Sequence, residues 1–273
     1  MSLARPSSSL IITAPWRAAA SPYNYRILMA KRVSSGSFEN AYVFPGGVEE
    51  PSDSQWQMSP HKVCALRETF EETGILLASP TSTASPGQDF FSQCSTRTLL
   101  DIRQIGRWVT PREQKKRFDT RFFLLSVRDA DTEILGQIKR ASVQESELVR
   151  LDWLTPGEIL EANRGATLPL FPPQFYIVNE LSRWRRWQDL GADPLALGDP
   201  DNPIEPLLIK HNGNMVSLFP GDCAYPRGTE RTPSASLDGC DGPLHRVVMK
   251  RAKTGGFVQC DLQKRLGVSA PKL

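Results

Sequence analysis

No stretch of this 273-residue chain reaches the roughly 20 apolar residues that a membrane-spanning helix needs, so no membrane role is expected. Charge excess is also missing. Thirty-three Lys and Arg face 30 Asp and Glu, and a net charge of +3 is too small to predict general nucleic-acid binding, although it leaves room for a local basic patch that steers an anionic substrate. Histidine is scarce, with only His61, His211 and His245, and the five cysteines (Cys64, Cys94, Cys223, Cys240, Cys260) form no C-x-x-C pair. Zinc-ligand spacing is therefore absent. An odd, scattered set of cysteines without a secretory leader predicts reduced thiols in an intracellular compartment. Acidic residues are missing before Glu39, which gives the amino end the composition of a mitochondrial presequence. Leu10–Thr13 and Tyr25–Lys31 nevertheless read as strands, so fold is predicted there, with only about eight leading residues outside it.

What is present centres on Arg67-Glu68-Thr69-Phe70-Glu71-Glu72-Thr73-Gly74-Ile75. Ser59 as cap, Pro60 at the first helical position and Gly74 as the left-handed terminator predict a helix. At 100° per residue, Val63, Leu66 and Phe70 fall on one side and Glu68, Glu71 and Glu72 on the other. Three carboxylates at i, i+3 and i+4 repel one another, by about 0.2–0.5 kcal/mol per like pair on an isolated helix. A solvated surface is the ordinary explanation of such a face; a hard divalent cation held between the carboxylates is the functional one. Phe44-Pro45-Gly46-Gly47 lies upstream, a turn whose glycines permit close backbone approach to a phosphate or metal.

On these residues the chain resembles the Nudix hydrolases, whose box reads G-x5-E-x7-R-E-U-x-E-E-x-G-U with U aliphatic. The carboxyl half matches closely. In the middle, Asp53 stands where the family has Glu, and thirteen residues rather than seven separate it from Arg67, an insertion of six. Thr69 replaces an aliphatic residue. The resemblance implies an α+β Nudix fold, a mixed β-sheet sandwiched between helices. It further implies Mg²⁺ or Mn²⁺ held by Glu68, Glu71 and Glu72, with Arg67 orienting the carboxylates and the Gly46-Gly47 backbone completing the site. An acid about six residues before a tryptophan would add a ligand or act as base. Glu147 stands at that distance from Trp153, with Glu145 as its rival.

Beyond the box, Ile75–Leu77 reads as a short buried strand and Ala78–Gln88 as a Ser/Thr/Pro-rich loop, within an inserted region near 78–98. Arg107–Thr110 and Phe118–Val127 read as an antiparallel pair. Between Asp101 and Arg121 there are seven Lys or Arg against three acids, which makes Arg112, Lys115, Lys116 and Arg117 a candidate anion site as well as an ordinary solvated loop. Glu147–Trp153 reads as a strand, Pro156–Asn163 as a helix entered through a Thr155-x-x-Glu158 capping box, and Pro173–Leu190 as a third helix exposing Arg183, Arg185 and Arg186 as a solvated face. The catalytic domain is thus expected over 8–190, a linker over 191–206, a β-rich extension without catalytic motif over 207–265, and a tail over 266–273.

Phe38, the interrupted box, Trp108-Val109-Thr110-Pro111, Arg117-Phe118-Asp119-Thr120, Pro172-Pro173-Gln174 and, more weakly, Phe219-Pro220-Gly221-Asp222 make the chain similar to one Nudix branch, the peroxisomal coenzyme A diphosphatases known as nucleoside diphosphate-linked moiety X hydrolases. That resemblance implies hydrolysis of the diphosphate in coenzyme A or acyl-coenzyme A, giving adenosine 3′,5′-bisphosphate and a phosphopantetheine. The other readings are a different nucleoside diphosphate derivative (a dinucleotide, a nucleotide sugar or an RNA cap) and a non-catalytic ligand-binding module. The terminal Pro271-Lys272-Leu273 is similar to the S-K-L address read by the peroxisomal import receptor; cytosolic and mitochondrial placement are the competitors.

Overall fold

The computed structural model describes residues 3–32, 41–79, 89–95, 97–143, 148–190, 201–228, 230, 232–251 and 257–265. Its main sheet is built on strand β1 (Arg5–Pro15), which runs parallel to β6 (Phe118–Ser126) and antiparallel to β2 (Tyr25–Arg32) and β4 (Gly46–Val48). Strand β3 (Tyr42–Val43) and β7 (Leu148–Leu154) pair with β2, and β5 (Arg103–Val109) with β6, so seven strands form one mixed sheet. Alternation along β1 and β2 sorts two cores onto the two faces. Leu10, Ile12 and Leu28 pack under helix α1 (Pro60–Thr73), α2 (Phe90–Cys94) and α3 (Thr132–Arg140). Ile11, Ile27 and Met29 pack on the other face with α4 (Pro156–Arg164) and α5 (Pro172–Leu181). The α+β sandwich expected from the sequence is the fold observed.

A second sheet, in the order β11-β10-β9-β8, is antiparallel throughout: β8 (Leu207–His211), β9 (Asn214–Leu218), β10 (Leu244–Arg251) and β11 (Phe257–Arg265). It closes over the α5 side of the main sheet, where Phe219, Val247 and Met249 join the core of Trp108 and Tyr176. Buried Asp222 pins this sheet's turn, accepting from Arg246 Nε and Nη2 at 2.7 Å each and from the His245 amide at 2.8 Å. Lys264 Nζ donates to Glu180 (2.9 Å) and to the Tyr176 hydroxyl (3.0 Å), tying β11 to α5.

Several local expectations are corrected. Ile75–Leu77 is buried but is not a strand; only Ala78 makes an isolated bridge, to Leu99. The third helix starts at Pro172 and stops at Leu181 rather than Leu190, because the Tyr23 and Tyr25 hydroxyls take the carbonyls of Ser182, Leu181 and Trp184, and Asn24 Oδ1 accepts from the Trp187 amide. Strand β1 begins at Arg5, inside the segment expected to lie outside the fold. Helices α2 and α3 and strand β11 were not foreseen. Cys223 and Cys240 are joined in a disulfide, contrary to the expectation of reduced thiols, while Cys64, Cys94 and Cys260 are free. The two partners lie 17 residues apart, a spacing with no signature, and the turn around Asp222 brings them together. Among the described residues no helix is long and apolar enough to cross a membrane. The Ala78–Gln88 loop from residue 80 onward, residues 191–200 of the linker, and Pro271-Lys272-Leu273 lie outside the described residues.

Candidate active site

Helix α1 has the predicted ends with one difference. Gly74 takes the left-handed conformation (φ 73°) and its amide donates to the Phe70 carbonyl at 2.7 Å. Pro60 occupies the first turn, but the Ser59 side chain makes no capping bond; its backbone carbonyl instead accepts from the amides of Lys62 (2.9 Å) and Val63 (3.1 Å). Val63 and Leu66 are wholly buried on the sheet, as their spacing required. Thr69 is buried too and returns its hydroxyl to the Ala65 carbonyl at 2.7 Å, which removes the cost of a polar group at an aliphatic position.

Arg67 is the pivot of the site. It is 2% exposed, and each of its five N–H groups has an oxygen partner. Nε and Nη2 form a fork on Asp53 at 2.8 and 3.0 Å, Nη2 also reaches the Val48 carbonyl at 3.1 Å, and Nη1 holds Glu68 at 3.0 Å and Glu71 at 2.8 Å. Burial alone would lower the arginine's pKa; the bonds and charges of Asp53, Glu68 and Glu71 override it and hold it above the usual range. Asp53 is fully buried and also accepts from the Glu50 amide at 2.9 Å, which closes a 3-10 turn over Pro51–Gln55. The six extra residues are absorbed after that turn: Trp56 and Met58 pack on the α1 core, with Trp56 stacked 6.0 Å from Phe91. The interrupted box therefore still brings Asp53 and Arg67 together.

The glycines press against the carboxylates. A Cβ on Gly47 would lie 2.3 Å from the Glu68 carboxyl carbon, and one on Gly46 would lie 2.3 Å from the Ser8 carbonyl oxygen. At Gly46 a side chain would meet the β1 backbone and the φ of 153° adds strain for any other residue, whereas at Gly47 it would meet the Glu68 carboxylate, which would have to turn away. The Gly46 amide donates to Glu72 Oε2 at 3.0 Å. Burial pushes Glu68 up to about 7, against the opposing pull of Arg67. Glu68 and Glu71 thus meet on one guanidinium nitrogen while Glu72 turns to a backbone amide. Convergence of all three into one cluster is not found, and among the described residues no three His, Cys, Asp or Glu side chains gather as a metal site. Arg67 and Gly46 each take carboxylates that a cation would compete for. The donors nonetheless suit a hard divalent ion: carboxylate oxygens beside a glycine pair that leaves no side chain in the way.

The remaining expected residues are placed elsewhere. Glu145 and Glu147 lie outside the described residues. Arg112 and Arg117 converge on Glu205, the first through a fork at 2.9 and 3.0 Å and the second at 2.7 Å, and Lys115 stays exposed. Sequence reasoning missed a group at the start of α1: His61 contacts both Glu49 and Arg121, and Arg107 forks onto Asp119 at 2.8 and 2.6 Å. Burial, then the Arg121 charge, pushes His61 down to about 4, which favours the neutral imidazole. His61 precedes Glu68 by two helical turns on the same face, a spacing that only the known placement of β4 makes meaningful.

Comparison with known proteins shows the family and the fold. A family model described as NUDIX domain matches residues 16–172. A Caenorhabditis elegans protein described as nudix hydrolase 7 is 30% identical over 237 residues, covering 78% of this chain and 76% of its own. The acyl-coenzyme A diphosphatase NUDT19 of Xenopus laevis is 24% identical over 316 residues, covering 83% and 81%. The crystal structure of a NUDIX hydrolase from Alicyclobacillus acidocaldarius superposes with a TM-score of 0.59 at 24% identity, over 73% of this chain and all of that one. With its glycine pair seated against the carboxylates of α1 and a family match over more than half its length, the chain belongs to the Nudix family and is a Nudix hydrolase.

Proposed function

We propose that the protein hydrolyses the diphosphate of coenzyme A or an acyl-coenzyme A, releasing adenosine 3′,5′-bisphosphate and the corresponding phosphopantetheine. The observation that carries the site assignment is the seating of Glu68 and Glu72 on the Gly47 and Gly46 backbone, with Glu68 and Glu71 held by one buried arginine. The substrate assignment rests on the sequence resemblance and on the diphosphatase named above. Glu68, Glu71 and Glu72 would hold Mg²⁺ or Mn²⁺, which when bound neutralises charge on the phosphoryl oxygens and favours ionisation of water. Arg67 sets the direction of two carboxylates, and the Gly46-Gly47 backbone lets phosphate oxygens approach without a side chain between. Water adds to one phosphorus as the bridging P–O bond breaks, and its proton passes to a carboxylate, assigned here to Glu147.

A panel of coenzyme A, dephospho-coenzyme A, a dinucleoside polyphosphate, a nucleotide sugar and capped RNA, each with Mg²⁺ or Mn²⁺, tests this reading. Coenzyme A is expected to give the highest kcat/KM. Arg112, Lys115 and Arg117 are assigned to the 3′-phosphate that dephospho-coenzyme A lacks. Glu205 already occupies two of these guanidiniums, so the phosphate must exchange with it, and discrimination of only about tenfold, or 1.4 kcal/mol, is expected. Equal rates on both coenzymes, or an unchanged ratio after Lys115→Glu with Arg112→Glu, would refute that contact; a cap or dinucleotide cleaved faster than coenzyme A would refute the substrate.

Peroxisomal placement through the import receptor is the compartment we propose, on the resemblance to the peroxisomal branch of the family, and Pro271-Lys272-Leu273 is the segment to test. A fluorescent protein fused ahead of the chain is expected to appear punctate with peroxisomal markers and to become diffuse when these three residues are deleted. Diffuse signal from both would end the assignment.

A further inference from the structure

We infer that the groove between the β1–β2 connection and the segment after α5 is a second ligand site, one that takes a phosphorylated nucleoside. It lies at the far end of β1: Ser9 pairs with Gly46 beside the carboxylates, whereas Trp16 follows the strand's last residue, about 20 Å away at roughly 3.3 Å per residue. The cavity holds about 400 Å³ and is lined by Trp16, Arg17, Tyr23, Arg185 and Arg186 among others. That volume is in the range of small-molecule sites, and a lone phosphate would leave most of it empty.

Its charge is largely uncompensated. Among the described residues Arg17 pairs only with Asp129, and both side chains are largely exposed, at 82% and 55%. Neither Arg185 nor Arg186 has an ion-pair partner among the described residues, although nearby Arg183 is held by Glu180. One lining cation, Arg185, and the neighbouring Arg26 lie over rings. The Arg185 guanidinium lies 4.6 Å over Tyr23, and Arg26 lies 3.2 Å over Trp16 while reaching Glu158 at 3.8 Å. A guanidinium whose inner face rests on an aromatic ring presents its outer face to a nucleobase and its N–H edge to phosphate oxygens.

The scaffold beneath is fixed before any ligand arrives. The Arg185 carbonyl accepts from the Asn24 amide at 2.9 Å, the Asn24 side chain accepts from the Trp187 amide at 2.8 Å, and the Tyr23 hydroxyl donates to the Ser182 carbonyl at 3.1 Å. The bonds that cut α5 short of Leu190 are thus the bonds that hold two arginines on the rim. A preorganised pocket loses less entropy on binding.

Calorimetric titration of the full chain with ADP, in EDTA so that no divalent ion bridges the probe to the carboxylates, tests the inference. Submillimolar binding is expected, unchanged by Glu71→Gln with Glu72→Gln and weakened at least tenfold by Arg185→Glu with Arg186→Glu. Inorganic phosphate should bind at least tenfold more weakly than ADP. Should the double charge reversal lower the unfolding temperature markedly, Arg17→Glu, at an exposed position, serves in its place with an expected threefold loss. Unchanged ADP affinity in these arginine variants, or loss of ADP binding in the glutamate variant, would overturn the site. Phosphate binding as tight as ADP would leave an anion patch and overturn the nucleoside assignment. So would an oligoribonucleotide that binds the same arginines more tightly than ADP, because the ligand would then be a strand.

Discussion

Replacing Glu72 with Gln is expected to lower diphosphate turnover by about 10²–10⁴, the equivalent of about 3–5 kcal/mol of lost transition-state stabilisation, without unfolding the protein. The amide keeps an oxygen for the Gly46 N–H, so the contact between α1 and β4 survives, while the charge needed at a divalent cation is gone. Glu71→Gln should fall in the same range and should also loosen Arg67, because Nη1 exchanges a charged acceptor at 2.8 Å for a neutral one. The measurement is kcat at saturating Mg²⁺ beside a thermal melt. Wild-type turnover in either variant would remove the carboxylates from the chemistry; a collapsed melt would mean that the change had broken packing instead.

The parts of this site that were legible in the sequence are those dictated by short-range geometry. The spacing of Glu68, Glu71 and Glu72 fixes their face on a helix, Gly74 marks its end, and Gly46-Gly47 signals a close backbone approach before the approaching group is known. Asp53 was not legible in the same way. Its distance from Arg67 depends on how Pro51–Gln55 turns and where Trp56 packs, and both depend on α2, whose aromatics sit far along the chain. His61, Glu49 and Arg121 were missed for the same reason: three strands and a helix must be in place before they touch. Competition was the other source of error. The repulsion among three carboxylates is relieved here by Arg67 and the Gly46 amide, so a charge argument alone could not foresee that two would meet on one guanidinium while the third turned aside. Helix α5 shows the limit of periodicity: the run to Leu190 has a helical apolar pattern, but two tyrosine hydroxyls and one asparagine offer its carbonyls and amides better partners from outside.

The second large effect is expected on stability, at the residue where the box departs from the family. Asp53→Ala should destabilise the protein by about 3–5 kcal/mol, the usual cost of stripping the partner from a buried ion pair. Arg67 is 2% exposed, so its Nε and one Nη2 N–H would lose their acceptors with no water to replace them, and the charge would remain. The Glu50 amide would lose its acceptor as well, opening the 3-10 turn that spans the start of the insertion. Asp53→Asn retains one acceptor oxygen and should cost less, about 1.5–3 kcal/mol, the scale of hydrogen bonds to a charged group. In that milder variant the arginine fork is no longer symmetric, Nη1 is less firmly aimed at Glu68 and Glu71, and kcat should fall further than the stability loss at assay temperature can explain. Urea unfolding of both variants, with kcat for the asparagine form, separates the two roles. A loss below 1 kcal/mol for Asp53→Ala would show that Arg67 finds other partners and that Asp53 does not anchor it. A normal kcat in a destabilised Asp53→Asn would confine this aspartate to holding α1 in place.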